Sequence, residues 1–386
     1  MNEPNSGAGV TAAQAMTIAI HEGRKGAGFV SPNPLVGCVI LDRHRNLISV
    51  GYHHKVGAAH AEIDALAKLS SPSLAEGGHV YVTLEPCAHQ GRTGSCARAL
   101  APLKLASLTY AVEDPNPLVA GQGAEILRDA GVDCELLSNR LDLSEAESRE
   151  LTAQAEELAE IFLHGFRFSE PFVAMKVATS LDGKMAYASG ESKWITGEAA
   201  RAHVHLLRAR YDAIAVGRAT YLADNPSLNV RHPQYPDFKN KVVVFDPEGE
   251  TLAAIDTSNL FKVRDASSVI VVTDAKRSVE NPHGVRILKV PMLDQTDFMM
   301  DELMAALRAE GIYSFLLEGG AQTYASFFNV GRVRRLHVYI APIIMGSRSG
   351  LSWSAGFGGT SMKERIELRR VERQSFGRDE YWTALV

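Results

Sequence analysis

A histidine, a glutamate and two cysteines in a set order constrain this chain most. His60-Ala61-Glu62 opens a run whose apolar positions, Ile63, Leu66, Ala67 and Leu69, suggest a helix. Pro86-Cys87 follows a stretch of strand composition at 79–84 (HVYVTL), and Cys96 opens a second helical run at 96–103. One imidazole and two thiolates make three metal ligands and cancel the charge of a divalent ion. They leave the fourth tetrahedral position to water, as a catalytic zinc requires. Glu62, two residues past the histidine, could then take a proton from that water and pass it to a leaving amine.

The order H-x-E followed by P-C and a second cysteine is the pattern of zinc deaminases that act on nucleobases. The usual gap between the cysteines is two residues. Here it is eight, from Ala88 to Ser95, and the insert AHQGRTGS brings His89 and Arg92. A protein that merely held zinc would need neither Glu62 nor an open position. Cys38 and Cys134 fit as small buried hydrophobes.

At 386 residues the chain exceeds what one hydrophobic core usually organises. Strand-like and helix-like runs alternate over the first 140 residues, which argues for an α/β sandwich. The expected strands are 37–41, 47–52, 79–84 and 106–112; the helices are 11–22, 60–69, 96–103 and 123–130. A long Glu-rich helix over 141–162, with Ser144 and Glu147 as a capping box, is expected to be a solvated connector. A second alternation follows, with strands at 172–178, 213–216, 241–245, 268–273, 285–290, 314–318 and 335–342. Helices are expected at 198–210, 298–310 and 321–329. The expected division is a first domain at 1–145, a connecting helix and linker at 146–170 and a second domain at 171–386.

With 40 Lys+Arg against 45 Asp+Glu, the chain lacks the basic surface of a nucleic-acid binder. No stretch approaches 18 consecutive apolar residues, and MNEPNSGAGV carries no secretory signal pattern. A cytoplasmic enzyme with no nucleic-acid or membrane partner is therefore expected.

Three later segments stand out: KVATSLDGKMAYASGESKWIT (176–196), VGRATYLADNPSLNVR (216–231) and LLEGGAQTYASFF (316–328). In the last, a strand ends in Gly319-Gly320 where a helix begins, and backbone N–H groups there can hold a phosphate. No G-x-G-x-x-G follows a strand, so a Rossmann fold is not supported. Asp182 and Lys184 flank a tight Asp-Gly turn and suit either a structural or a functional role.

SPNPLVGCVI (31–40), GYHHKVGAAHAEIDAL (51–66), TLEPCAHQGRTGSC (83–96) and EDPNPLVAGQG (113–123) together resemble the deaminase half of the bacterial bifunctional riboflavin-pathway deaminase/reductases, the RibD type. The three later segments resemble the reductase half of the same family. The eight-residue gap is that family's own; where it often has two prolines before the second cysteine, this chain has Gly94-Ser95. The resemblance implies a cytidine-deaminase-like α/β/α sandwich followed by a dihydrofolate-reductase-like α/β domain. It implies His60, Cys87 and Cys96 on one zinc per chain, Glu62 as the catalytic proton carrier, and deaminase substrate contacts from Asn33, His53, His89 and Arg92. Asn33 could read a pyrimidine edge, and His89 or Arg92 could meet a phosphate.

In the second half it implies NADPH, with contacts from Ala178, Trp194, Thr220, Asp224 and the run Gly320, Ala321, Gln322, Thr323, Tyr324, Ala325 and Ser326. Reductase substrate contacts would come from Ser192, Arg208, Leu228, Arg231 and Glu318. Phosphoribosylaminopyrimidines are the implied substrates, and a homo-oligomer formed through the reductase domain is expected. Arg218, Thr220, Lys276 and Arg277 are candidate partners for the 2′-phosphate of NADPH; Pro247, between Asp246 and Glu248, offers neither hydroxyl nor N–H.

Overall fold

The computed structural model describes residues 9–88, 94–116, 120–236, 238–281, 283–346, 348 and 350–386. The chain divides into two compact units, Met1–Ser169 and Glu170–Val386.

The first unit is built on strands β1 (Gly37–Leu41), β2 (Leu47–Tyr52), β3 (His79–Val82), β4 (Ser107–Tyr110) and β5 (Asp133–Leu136). They form one sheet in the order β2-β1-β3-β4-β5, in which β1 runs antiparallel to β2 and β3, and β3, β4 and β5 are mutually parallel. Alternation along β1 sends Cys38 and Ile40 to one face and Val39 and Leu41 to the other. Helices α2 (Ala61–Ala67), α3 (Cys96–Leu100) and α4 (Gln122–Asp129) cover the first face through Ala65, Leu100 and Leu127. Helices α1 (Ala12–Arg24) and α5 (Glu145–Leu158) cover the second. This is the expected α/β/α sandwich. Thr11 and Gln14 close a capping box at the start of α1, and Met16 on its inner face is fully buried. Truncating such a side chain to alanine costs about 2–5 kcal/mol.

The long helix expected over 141–162 is two helices, and it is not a solvated connector. Ala159 leaves helical geometry at φ −95°, ψ 7°, and α6 (Glu160–Phe168) follows it as a separate helix. Leu151 and Ala155 of α5 pack into the same cluster as Ala15, Met16 and Ala19 of α1. The apolar spacing is visible in the sequence, but the Glu-rich remainder of the surface made the helix read as solvated.

The second unit holds β6 (Phe172–Ser180), β7 (Lys184–Tyr187), β8 (Ala213–Gly217), β9 (Lys241–Phe245), β10 (Val269–Asp274), β11 (Arg286–Val290), β12 (Ser314–Leu317), β13 (Val333–Ala341), β14 (Gly350–Ser352), β15 (Arg369–Phe376) and β16 (Asp379–Leu385). Nine of them form one sheet in the order β11-β10-β9-β8-β12-β6-β13-β16-β15, and β14 pairs separately with β7. From β11 to β13 all neighbours are parallel; β16 and β15 close the edge antiparallel. The helices of this unit are α7 (Glu198–Ala209), α8 (Arg218–Asp224), α9 (Asn259–Val263), α10 (Met300–Ala309) and α11 (Ala321–Phe328). Val243 and Phe245 of β9 pack with α10 and α11, whereas Val242 and Val244 pack with Leu252, Ile255 and Leu260. A parallel sheet buried on both faces explains why its strands read as unbroken apolar runs.

Asp182 has a structural role: it accepts from Ser180 Oγ at 2.6 Å and from the N–H groups of Met345 and Gly346 at 3.0 and 2.8 Å. The C-terminal hairpin reaches back to α7, where Asp379 Oδ2 accepts from Gly197 N at 2.6 Å and caps a helix start that has no side-chain cap of its own.

Candidate active sites

In the first unit the sandwich brings three loop-to-helix junctions together. His60 is the N-cap of α2 in extended geometry (φ −71°, ψ 164°), so its ring projects from the helix start. Cys96 is the first residue of α3, and Cys87 lies in the loop after β3. His60 Nδ1 is 3.6 Å from Cys87 Sγ and 3.3 Å from Cys96 Sγ, and the three ligand atoms lie within 4.8 Å of one another. Tetrahedral zinc with ordinary bond lengths needs an N–S separation of about 3.5 Å. The donor set and its spacing therefore fit zinc with one position left over. Hydrogen bonds from Cys96 and His60 lower the Cys87 thiol well below its usual range. The Cys87 side chain, together with burial, raises Cys96.

Glu62, in the first turn of α2, is 3% exposed and lines the same cavity. Burial, then the nearby Cys87 thiolate, pushes its carboxyl up to about 7. The cavity has a volume of about 190 Å³. Asn33 and His53 line it and are hydrogen-bonded to each other, Asn33 Nδ2 to His53 Nε2 at 3.1 Å. His53 Nδ1 lies 2.9 Å from the Ala59 carbonyl, which fits the tautomer that donates there and accepts at Nε2. Burial lowers its pKa, which favours the neutral ring. One Asn33 amide hydrogen is thus committed to His53, and its carbonyl is the acceptor it can offer a ligand. His89 and Arg92 lie outside the described residues. The cavity also takes Glu85, Asp114 and Phe162, which sequence reasoning had not singled out. Asp114 stood inside a quoted motif, and Phe162 at the end of the long helix expected over 141–162.

In the second unit the carboxyl ends of β8, β9 and β12 open onto one cleft of about 210 Å³, where open parallel sheets bind ligands. Thr220, Gly320, Gln322, Thr323 and Ser326 line it. A Cβ at Gly217 would lie 2.3 Å from Thr323 Oγ1, so a larger residue there would displace the Thr323 side chain. Glycine backbone at a helix start fits the phosphates of a dinucleotide. Tyr324 and Ala325 of the same run are buried; the Tyr324 hydroxyl donates to the Lys176 carbonyl at 2.7 Å and accepts from Gly319 N at 3.1 Å. Ala178 sits on β6 opposite Tyr339. Trp194 is 69% exposed, and the Arg201 guanidinium lies over its ring at 4.5 Å. Ser192 Oγ and Asp224 Oδ1 meet at 3.5 Å.

The two arginines expected at the substrate differ. Arg208 forks onto Glu318 with bonds of 2.7 and 3.0 Å and donates to the Asn229 carbonyl at 3.0 Å. Lys176 Nζ, missed in the sequence, stands 3.9 Å from Glu318. Burial works against the Glu318 carboxylate, but Arg208 and Lys176 outweigh it and hold its pKa at about 2. Arg231 is exposed and steadied by Asn229 Oδ1 at 2.5 Å. Leu228, just before Asn229, is buried with φ 45°, a strained value for a side chain of its size.

Fold and sites together define a zinc-dependent deaminase unit followed by a nucleotide-cofactor reductase unit. Residues 10–112 match the cytidine and deoxycytidylate deaminase zinc-binding region, and residues 171–379 match the RibD C-terminal domain. The chain is 37% identical to the riboflavin biosynthesis protein RibD of Bacillus amyloliquefaciens, over 96% of this chain and 95% of that one. It is 36% identical to that of Escherichia coli, over 86% and 88%. The Acinetobacter baumannii RibD structure superposes with a TM-score of 0.78 at 33% identity, covering 97% of this chain and 98% of that one. The chain belongs to the RibD family of bifunctional deaminase/reductases of riboflavin biosynthesis, with zinc and NADPH as its cofactors. No described helix is long and apolar enough to cross a membrane.

Proposed function

We propose that the first unit hydrolytically deaminates 2,5-diamino-6-(5-phosphoribosylamino)pyrimidin-4(3H)-one, and that the second reduces the ribosyl chain of 5-amino-6-(5-phosphoribosylamino)uracil to ribityl. A Thermotoga maritima protein described as a diaminohydroxyphosphoribosylaminopyrimidine deaminase/5-amino-6-(5-phosphoribosylamino)uracil reductase supports this reading, with 28% identity, a TM-score of 0.79 and coverage of 97% and 98%. The observation that carries it is the convergence of His60, Cys87 and Cys96, with buried Glu62 lining the same cavity as His60 and Cys87.

His60, Cys87 and Cys96 would hold the zinc, which supplies Lewis-acid activation of water. Glu62 carries the proton: its carboxylate accepts one from the attacking water and returns it to the leaving amine, so the C–N bond breaks with release of ammonia. Asn33, oriented by His53, presents its carbonyl to the pyrimidine edge. In the second unit Thr220 and the start of α11 would hold NADPH, which supplies the reducing equivalents. Arg231 takes the substrate phosphate. Arg208 acts as the partner that keeps Glu318 ionised, and Glu318 and Ser192 accept from sugar hydroxyls. No protein nucleophile is needed; the site supplies positioning and charge.

The test is ammonia release from the diaminopyrimidine, followed by NADPH oxidation on its product. A zinc-loaded, folded protein that does neither contradicts the reading. We also propose a cytoplasmic setting, which keeps the thiols reduced, and self-association through the second unit. The exposed length of β15, a sheet edge, supports the latter; light scattering that returns a monomer at all concentrations contradicts it.

A further inference from the structure

Glu85 is 3% exposed and stands two residues before Cys87, yet the proton path through Glu62 does not use it. Its carboxylate accepts three backbone N–H groups. Oε2 takes those of Gly121 at 3.1 Å and Asp114 at 3.4 Å, and Oε1 takes that of Ala124 at 3.3 Å. Its own N–H donates to the Val112 carbonyl at 2.9 Å. Asp114 lines the cavity, while Gly121 and Ala124 belong to the start of α4. A carboxylate suits that place, because it satisfies orphan helix donors and opposes the positive end of the helix dipole.

A second observation is independent of that side chain. A Cβ built on Gly123 would lie 1.8 Å from the Pro86 carbonyl oxygen. The start of α4 therefore rests directly on the backbone that leads into Cys87, and nothing larger than glycine fits between them.

We infer that Glu85 is a positioning residue of the deaminase. It registers the wall that carries Asp114 against the loop that carries Cys87, and so sets the width of the substrate cavity without touching the reacting atoms. The inference rests on the deaminase reading of the first unit.

The test compares zinc-loaded wild type with Glu85→Gln, Glu85→Ala and Gly123→Ala. Three quantities are measured: zinc per chain, KM and kcat for ammonia release from the diaminopyrimidine, and NADPH-dependent reduction of supplied aminouracil. Glutamine keeps one acceptor but turns an NH₂ toward backbone donors. Glu85→Gln should keep its zinc and its reductase rate while KM for deamination rises about tenfold and kcat stays within about threefold. Glu85→Ala should raise KM further, and Gly123→Ala should raise it with Glu85 intact. Wild-type KM in the Glu85 variants overturns the inference. So does a fall in kcat at unchanged KM, or loss of zinc from Glu85→Gln. If Glu85→Ala does not fold, the other two variants decide. If wild type itself releases no ammonia, the deaminase reading falls and takes this inference with it; if wild type works and the variants match it, only the inference falls.

Discussion

The Ser95 hydroxyl donates to the Cys87 carbonyl at 2.8 Å and accepts from the Arg98 N–H at 3.3 Å. One side chain thus caps the helix that begins with Cys96 and ties it to the backbone of the other thiol ligand. Ser95 thereby restrains the junction between the two thiol ligands by hydrogen bonding. Losing such a cap costs about 1 kcal/mol, so Ser95→Ala should weaken zinc binding by about fivefold. Competition with a chromogenic chelator measures it, and an unchanged affinity would show that the loop holds itself.

Removing zinc should separate the two activities. Its ligands all lie in the first unit. Chelation should abolish ammonia release and leave NADPH-dependent reduction of supplied aminouracil intact. Loss of both in a protein that stays folded, judged by circular dichroism, contradicts this division of labour.

Glu62→Gln should keep the fold and the zinc, because the carboxylate is counted as a proton carrier and not as a ligand. Deamination should fall at least about 100-fold, the lower range for a positioned acid–base group. Metal analysis alongside single-turnover kinetics decides; near-normal turnover of the zinc-loaded variant removes Glu62 from the mechanism.

The cofactor cleft carries a charge conflict. Arg218, at its edge, pairs with Glu250 at 3.2 Å, and Arg277 pairs with Glu248 at 2.6 Å. Both pairs are partly exposed, where an ion pair is worth at most about 1 kcal/mol, so a 2′-phosphate can displace the carboxylates. NADPH should be preferred over NADH. Glu250→Gln should lower KM for NADPH by about threefold and leave KM for NADH unchanged. An equal change for both cofactors would show that Arg218 does not meet the 2′-phosphate.

The second unit should lose stability in mild acid. Burial holds His203 and His205 down to about 4 and His337 well below its ordinary value. His337 is fully buried between the hydroxyls of Tyr211 and Tyr381, at 2.9 and 2.7 Å. An unfolded histidine titrates near 6.5. Between about pH 6.5 and 4 the unfolded chain therefore binds more protons than the folded one. Stability is fully present above that window and falls as pH drops through it. All three tryptophans, Trp194, Trp353 and Trp382, lie in this unit, so their fluorescence reports its unfolding alone. Urea midpoints that stay level from pH 7 to 5 would falsify the assignment.

The metal constellation was legible because its geometry is largely local. A histidine at a helix cap, a cysteine in the loop that follows a strand and a cysteine at a helix start each announce their own element. The parallel strands 213–217, 241–245 and 269–274 were legible for a similar reason, since burial on both faces leaves an unbroken apolar run. Amphipathic stripes hidden among charges were harder. The Glu-rich outer surface of α5 read as a solvated helix, and only packing against α1 showed Leu151 and Ala155 to be core.

The sequence by itself determined which chemistry each half carries, because ligand type, spacing and strand-to-helix turns are properties of short segments. It did not determine which side chains face a ligand and which face one another. Arg208 and Glu318, 110 residues apart, are committed to each other, leaving Arg231 as the exposed cation. Glu85 turns out to bind the backbone of a loop some 30 residues on. Such pairings depend on which strands become neighbours. A buried charge must find its partner wherever the fold supplies one, and only the tertiary structure decides where that is.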